Sequence, residues 1–239
     1  MKMKKMVILA SMLFTSIAFA QVDKNIQDTI TKSVKENFNQ VKTVNSITQT
    51  QLPGIYEVIV DDTNILYIDG KGQYGFDGNI VDIKNKKSLT QERVDKLTAL
   101  DYNKDLDFKN SFKIVKGDGS RKFTVFADPN CSFCKQFEKE LEKVNNYTMN
   151  VFLLPVLGND SMKKSQSIWC AENREKVWTD WMVNGKEIPE KTCANPLEKN
   201  LETGKKFKIR GTPTIVFPDG VKNVGMMRAE QLEERLNKK

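Results

Sequence analysis

Apolar residues recur four apart at Ile26, Ile30, Val34 and Phe38, which predicts an amphipathic helix with Asp23 or Asn25 as its cap. The spacing then tightens. Ile55–Val60 and Ile65–Ile68 are apolar runs separated by the polar corner Asp61–Asn64, the signature of a β-hairpin. A glycine-rich stretch from Gly70 to Gly78 leads into a short strand around Ile80–Ile83. Ser88-Leu-Thr-Gln91 has the form of a capping box, and Val94, Leu97 and Leu100 continue the helix it opens. The polar, acidic segment Asp101–Asp107 ends this part of the chain.

Beyond it, Phe108–Val115 runs into a Gly117-Asp-Gly119 turn, and Phe123-Thr-Val-Phe-Ala127 reads as a buried strand. Asp128-Pro-Asn130 turns the chain, with Asn130 as an N-cap, and Phe133, Phe137, Leu141 and Val144 follow at helical spacing. Met149–Val156 is a second apolar strand. One helical segment from Ser161 to Val183 carries Ile168, Trp169, Val177, Trp178, Trp181 and Met182, aromatics expected in a core rather than in a ligand site. A helix near Leu197–Lys208 precedes Gly211-Thr-Pro-Thr214, the strand Ile215–Phe217 and the turn Pro218-Asp-Gly220. The strand Val221–Val224 and the helix Ala229–Asn237 complete the chain.

The chemistry concentrates at Cys131-Ser-Phe-Cys134, where the buried strand gives way to a helix. Both thiols fall in the first helical turn, where unpaired backbone N–H groups and the helix dipole favour an anion. A thiolate there forms more readily than the roughly 8.5 of a free cysteine allows, and the thiolate is the reactive species. Two thiols so close can form a mixed disulfide with a substrate and then resolve it. Haem attachment would need a histidine after Cys134; Lys135 stands there, and the chain has no histidine. A zinc site would need two further ligands, and Cys170 and Cys193 do not form a second close pair. A structural bridge within the motif would close a tiny loop and stabilise little.

The N-terminus adds compartment. Three lysines within Met1–Lys5, an apolar run Met6–Phe19 and Ala18-Phe-Ala20 form a secretory signal with cleavage before Gln21, so residues 1–20 are a signal peptide and the mature protein is expected in the periplasm. No later run approaches the roughly 20 apolar residues of a membrane helix. The net charge of +7 falls to +4 without Lys2, Lys4 and Lys5, and the remainder is spread over mixed Lys/Glu faces with no basic stripe interleaved with aromatics, so nucleic acid is not an expected partner. An oxidising compartment suits four cysteines. With Cys131 and Cys134 paired, Cys170 and Cys193 make the other pair, a loop of about 24 residues worth roughly 3 kcal/mol. A structural bridge is the favoured reading of that pair and a second redox centre the alternative.

The order strand, Cys-x-x-Cys helix, strand, helices, Thr-Pro, strand, strand, helix is thioredoxin-like. In that fold a cis-proline loop faces the cysteines, and Gly211-Thr212-Pro213 resembles it; a trans proline starting a strand is the alternative. Together with the export signal and the four-cysteine layout, Asp128-Pro-Asn-Cys-Ser-Phe-Cys134, Ile168-Trp-Cys170, Cys193 and Gly211-Thr-Pro213 resemble the DsbC/DsbG family of periplasmic thiol–disulfide interchange proteins. The resemblance implies an α+β N-terminal dimerisation domain (21–87), a linker helix (88–105) and an α/β thioredoxin-like domain with a helical insertion (106–239). It implies Cys131 as nucleophile, Cys134 as resolving thiol, Ser132, Phe133, Thr212 and Pro213 at the substrate, and Cys170–Cys193 as a structural disulfide. No cofactor or metal is implied.

The implied partners are a second copy of the chain, unfolded or misoxidised exported proteins, and a DsbD-like membrane reductant. A weak core in a unit of about 65 residues and strands without cover argue for the homodimer independently. The implied activity is a protein disulfide isomerase. Its rivals are a DsbG-like reductase or chaperone protecting single oxidised cysteines, a DsbA-like oxidase, and a holdase with incidental thiols. Cys170–Cys193 argues against the first and Thr212 against the second. Two departures stand out: Ser-Phe replaces the family's usual Gly-Tyr, and Val125 occupies the place of thioredoxin's buried acid.

Overall fold

In the computed structural model, residues 22–238 are described, so the expected signal segment lies outside the described residues. The chain divides between Thr90 and Gln91 into two units.

In the first unit, α1 (Lys24–Asn37) opens where the Asp23 side chain accepts from Asn25 N at 2.8 Å, and it buries Ile30 and Val34. Strands β1 (Val44–Gln49), β2 (Ile55–Val60), β3 (Asn64–Asp69) and β4 (Gly75–Phe76) form an antiparallel sheet in that order. Tyr56, Val58, Val60 and Ile68 of this sheet join Ile30 and Val34 in one core. Strand β1 is weakly marked by periodicity: in Val-Asn-Ser-Ile-Thr-Gln only Val44 and Ile47 are apolar, both pack half-buried against this core, and pairing with β2 completes the strand. A ribbon of β5 (Val81–Asp82) and β6 (Lys87–Ser88) leads into α2 (Leu89–Thr98). Thr90 fastens the start of that helix, its Oγ1 accepting from Ile80 N at 2.9 Å and lying 2.5 Å from the Tyr67 hydroxyl.

Apolar spacing carries the helix to Leu100, but α2 stops at Thr98, whose carbonyl accepts from Lys222 Nζ at 2.5 Å. Leu100, Tyr102 and Leu106 are instead buried with Phe126, Phe152, Leu154 and Val216. Residues 91–105, read from the sequence as linker, are thus part of the second unit.

That unit contains β7 (Phe112–Lys116), β8 (Arg121–Ala127), α3 (Ser132–Leu141), β9 (Tyr147–Leu153), α4 (Asn159–Trp169), α5 (Arg174–Asn184), α6 (Leu197–Lys206), β10 (Thr214–Val216), β11 (Lys222–Val224) and α7 (Ala229–Leu236). The five strands run β11-β10-β8-β9-β7; β8 and β9 are parallel and the other pairs antiparallel. Central parallel strands are covered on both faces, which is why Phe123–Ala127 is a continuous buried run rather than an alternating one. The architecture is the expected α+β unit followed by a thioredoxin-like unit with inserted helices.

The helix predicted over 161–183 is two helices. It breaks after Trp169 because Cys170 is tied to Cys193 and the Asn173 side chain caps α5 by accepting from Lys176 N at 2.9 Å. Among the described residues no helix is long and apolar enough to cross a membrane.

One glycine fixes how residues 98–100 meet the sheet. Gly220 has φ +81°, and a Cβ on it would lie 1.9 Å from the Leu100 carbonyl oxygen. Gly220→Ala is expected to destabilise the second unit by about 2–4 kcal/mol. Denaturant unfolding, compared with the exposed Gly158→Ala, checks it.

Candidate active site

Strand β8 carries the chain from the buried core to Asp128, which is itself wholly buried. The Asp128 carboxyl accepts from Asn130 N (2.8 Å), Val156 N (2.8 Å), Leu157 N (3.0 Å) and the Ser161 hydroxyl (2.7 Å). This fixes the turn before the cysteines against the loop between β9 and α4. Asn130, expected to cap α3, instead donates from Nδ2 to Asp160 and Ser161. The cap is Cys131: its Sγ accepts from Cys134 N at 3.3 Å, so the first thiol occupies the position where a helix stabilises an anion.

The Thr212–Pro213 bond is cis, and the Thr212 carbonyl accepts from the Cys131 thiol at 3.1 Å. Ionised, that sulfur accepts hydrogen bonds from the Cys134 thiol first, then from the Thr212 side chain and the N–H groups of Cys134 and Phe133. These hold Cys131 well below its ordinary value near 9, down to about 6. Cys134 moves the other way. Only 1% exposed, it is pushed far up by burial and then by its bond to, and the charge of, a Cys131 thiolate. The pair is one readily ionised sulfur and one held proton.

The structure brings Cys131, Cys134, Thr212 and Pro213 together. Ser132 and Phe133 project outward, Phe133 at 56% exposure, so Phe133 leaves the helix face that Phe137, Leu141 and Val144 bury. Cys170 and Cys193 lie apart from the site, joined in a disulfide with Cα atoms 5.7 Å apart. Among the described residues no group of three or more His, Cys, Asp or Glu could hold a metal ion.

Two residues escaped the sequence reading. Asp128 passed as a turn residue. Glu138, one helical turn beyond Cys134, is buried, accepts from Trp178 Nε1 at 2.6 Å, and is pushed up to about 7 by burial. A carboxyl four residues from Cys134 on an otherwise apolar helix face was the signal available for it.

Residues 108–239 match the thioredoxin-like domain model, and residues 18–91 match the disulfide bond isomerase protein N-terminal domain model. A probable thiol:disulfide interchange protein DsbC of Bordetella avium is 30% identical over 213 residues, 89% of this chain and 76% of that protein. The chain belongs to the DsbC family of thiol:disulfide interchange proteins. The Bordetella parapertussis member is 40% identical over 183 residues, 77% of this chain; the match spans 65% of that protein's length. A disulfide interchange protein from Neisseria gonorrhoeae matches 55% of this chain and 96% of its own, with 40% identity and TM-score 0.53.

Alkylation of the reduced chain by iodoacetamide is expected to label Cys131 first, with a rate that rises through an apparent pKa near 6. A folded-state pKa below the unfolded one adds stability above the unfolded value and loses it as pH falls through the folded value. Unfolding titrations should therefore show the reduced form gaining on the oxidised form between about pH 6 and 9, since a disulfide sulfur does not titrate. Labelling that climbs only near pH 9 would contradict this.

Proposed function

We propose that the chain is an exported thiol–disulfide isomerase working through Cys131 and Cys134. The observation that carries this reading is the opposed pair: a cap-position thiol held near 6 against the cis-proline loop, and a buried thiol held protonated behind it.

The Cys131 thiolate attacks one sulfur of a substrate disulfide. The Cys131–substrate bond forms, the substrate S–S bond breaks, and the other substrate sulfur leaves with the electron pair. If a different thiolate of the substrate attacks the substrate sulfur of the mixed disulfide, a new substrate disulfide forms and Cys131 departs as the thiolate, unchanged in oxidation state; this is isomerisation, whereas return of the first thiolate only restores the original bond. If Cys134 loses its proton to solvent and attacks Cys131 Sγ, the Cys131–Cys134 disulfide forms and the substrate leaves reduced by two electrons. An external dithiol must then return those electrons, which fits a membrane reductant of the DsbD type.

Ser132, Phe133, Thr212 and Pro213 are assigned to substrate contact, and Cys170–Cys193 to structure. Residues 1–20 direct the chain to the periplasm. The first unit is assigned to homodimerisation. Its sheet ends in the two-residue strand β4 with exposed Tyr74 and Phe76, and Ile83 nearby is 86% exposed, a concentration of apolar surface that a second copy would cover.

The mature chain is expected to reactivate a scrambled multi-disulfide protein, and Cys131→Ser to lose that activity by at least about 100-fold while remaining dimeric by sedimentation. Equal recovery with Cys131→Ser would replace isomerisation with a holdase role. A monomeric parent would remove the dimer assignment.

A further inference from the structure

The inserted helices reach back to the active-site turn. Trp181 on α5 donates from Nε1 to the Pro129 carbonyl at 2.6 Å, two residues before Cys131. Lys164 on α4 donates to Asn130 Oδ1 at 2.9 Å, the residue just before Cys131. Two ammonium groups lie over the Trp181 ring, Lys135 at 4.0 Å and Lys164 at 4.4 Å from its centroid. Attraction to the ring face holds such a cation in place.

The two lysines differ in how their charge is met. Lys164 pairs with Asp160 at 2.5 Å. Lys135 makes no ion pair among the described residues; the groups acting on its ammonium are burial and two further lysines, Lys164 and Lys139. Its backbone N–H donates to the Cys131 carbonyl at 3.1 Å, which places it one helical turn from the nucleophile and on the same face. Phe133, two residues before Lys135, is exposed, and so are Val156 and Leu157, whose backbone N–H groups are tied to Asp128.

We propose that Lys135, held over Trp181, forms a subsite beside Cys131 for an acidic side chain of the substrate, so that disulfides flanked by Asp or Glu react preferentially. A half-buried ammonium without a counter-ion gains most from a carboxylate brought to it, and a charge fixed on an aromatic ring loses little freedom when that carboxylate arrives. Lys135 acts on which substrate binds, not on the sulfur chemistry; the inference rests on the thiol–disulfide exchange reading above.

The test reacts the reduced full mature chain with disulfide peptides that differ only in Glu, Gln or Lys, scanned through the two positions on either side of the target cysteine. At the best position the Glu peptide is expected to react about three- to five-fold faster than the Lys peptide, with Gln between them and the preference shrinking as salt is added. Lys135→Gln should bring the Glu-to-Lys ratio close to one. Lys135→Arg should keep it, and so should Lys139→Gln, which removes the same charge one turn farther along α3. A ratio near one at every position in the parent, or a ratio untouched by Lys135→Gln, overturns the subsite while leaving exchange intact. No reaction with any of the peptides overturns the exchange reading and the subsite with it.

Discussion

The active site depends on how one buried carboxyl is satisfied. Asp128 ends the central strand β8 with no exposure and four hydrogen-bond donors around it. A buried acceptor left without partners costs about 1–3 kcal/mol, more for a charged group, so these contacts act as one unit. Three of the four come from the segment 156–161, on the far side of α3 and β9 in the chain. The position of the Cys131 turn is therefore set by the sheet and the β9–α4 loop together, not by the turn's own residues. The first turn of α4, which follows that loop, carries Asp160 and Ser161, which hold Asn130, so the residues on either side of Pro129 are fixed from one direction.

With the turn fixed, the difference between the two thiols follows from helix geometry. Cys131 falls on the cap, where its sulfur meets unpaired N–H groups and the Thr212 side chain; Cys134 falls one step inside, against the core. One environment lowers the cost of a negative charge and the other raises it. A thiolate of low pKa is also a good leaving group, so the sulfur that attacks a substrate easily is released from it easily. In the proposed cycle, that reversibility would let a mixed disulfide be resolved by the substrate's own thiols. In the same proposed cycle, burial of Cys134 would slow the competing reduction, because its proton must leave before it can attack.

Much of this was legible in the sequence wherever the determinant is local. The buried run Phe123–Ala127, the cysteine pair at a helix start and the Thr-Pro before Ile215 all declare themselves within a few residues. What was not legible is held at a distance. Strand β1, with two apolar residues in six, depends on β2 beside it and the core beneath it, and Asp128 finds Ser161 33 residues on. Glu138 meets Trp178 across 40 residues and Trp181 meets Pro129 across 52. The single helix read over 161–183 failed for a related reason: apolar spacing continues through the break, while the disulfide to Cys193 and the Asn173 cap end one helix and begin another. Phe133 keeps the apolar period of α3 yet faces solvent, because the first turn of the helix is also the rim of the site. Asn130 has the chemistry of a cap, but the carboxyl and hydroxyl of Asp160 and Ser161 take its side chain, and the sulfur takes its place.

The position of Glu138 bears on the same electrostatics. Val125 is apolar and buried, so β8 contributes no acid beneath the cysteines; the buried titrating carboxyl sits on α3 instead, where Trp178 donates to it. Burial raises its folded pKa to about 7 from an ordinary 4.5, so folding takes up a proton between those values and the contribution of Glu138 to stability falls as pH rises through them. Cys131 has the opposite sign over a higher range, adding stability as pH rises from about 6. Glu138 titrates whether or not the cysteines are joined, whereas Cys131 titrates only when reduced. The two groups share one helix but respond differently to oxidation: the pH response of the oxidised protein keeps the carboxyl's slope and loses the thiolate's. Near neutral pH, then, the thiolate at the helix cap favours the reduced form.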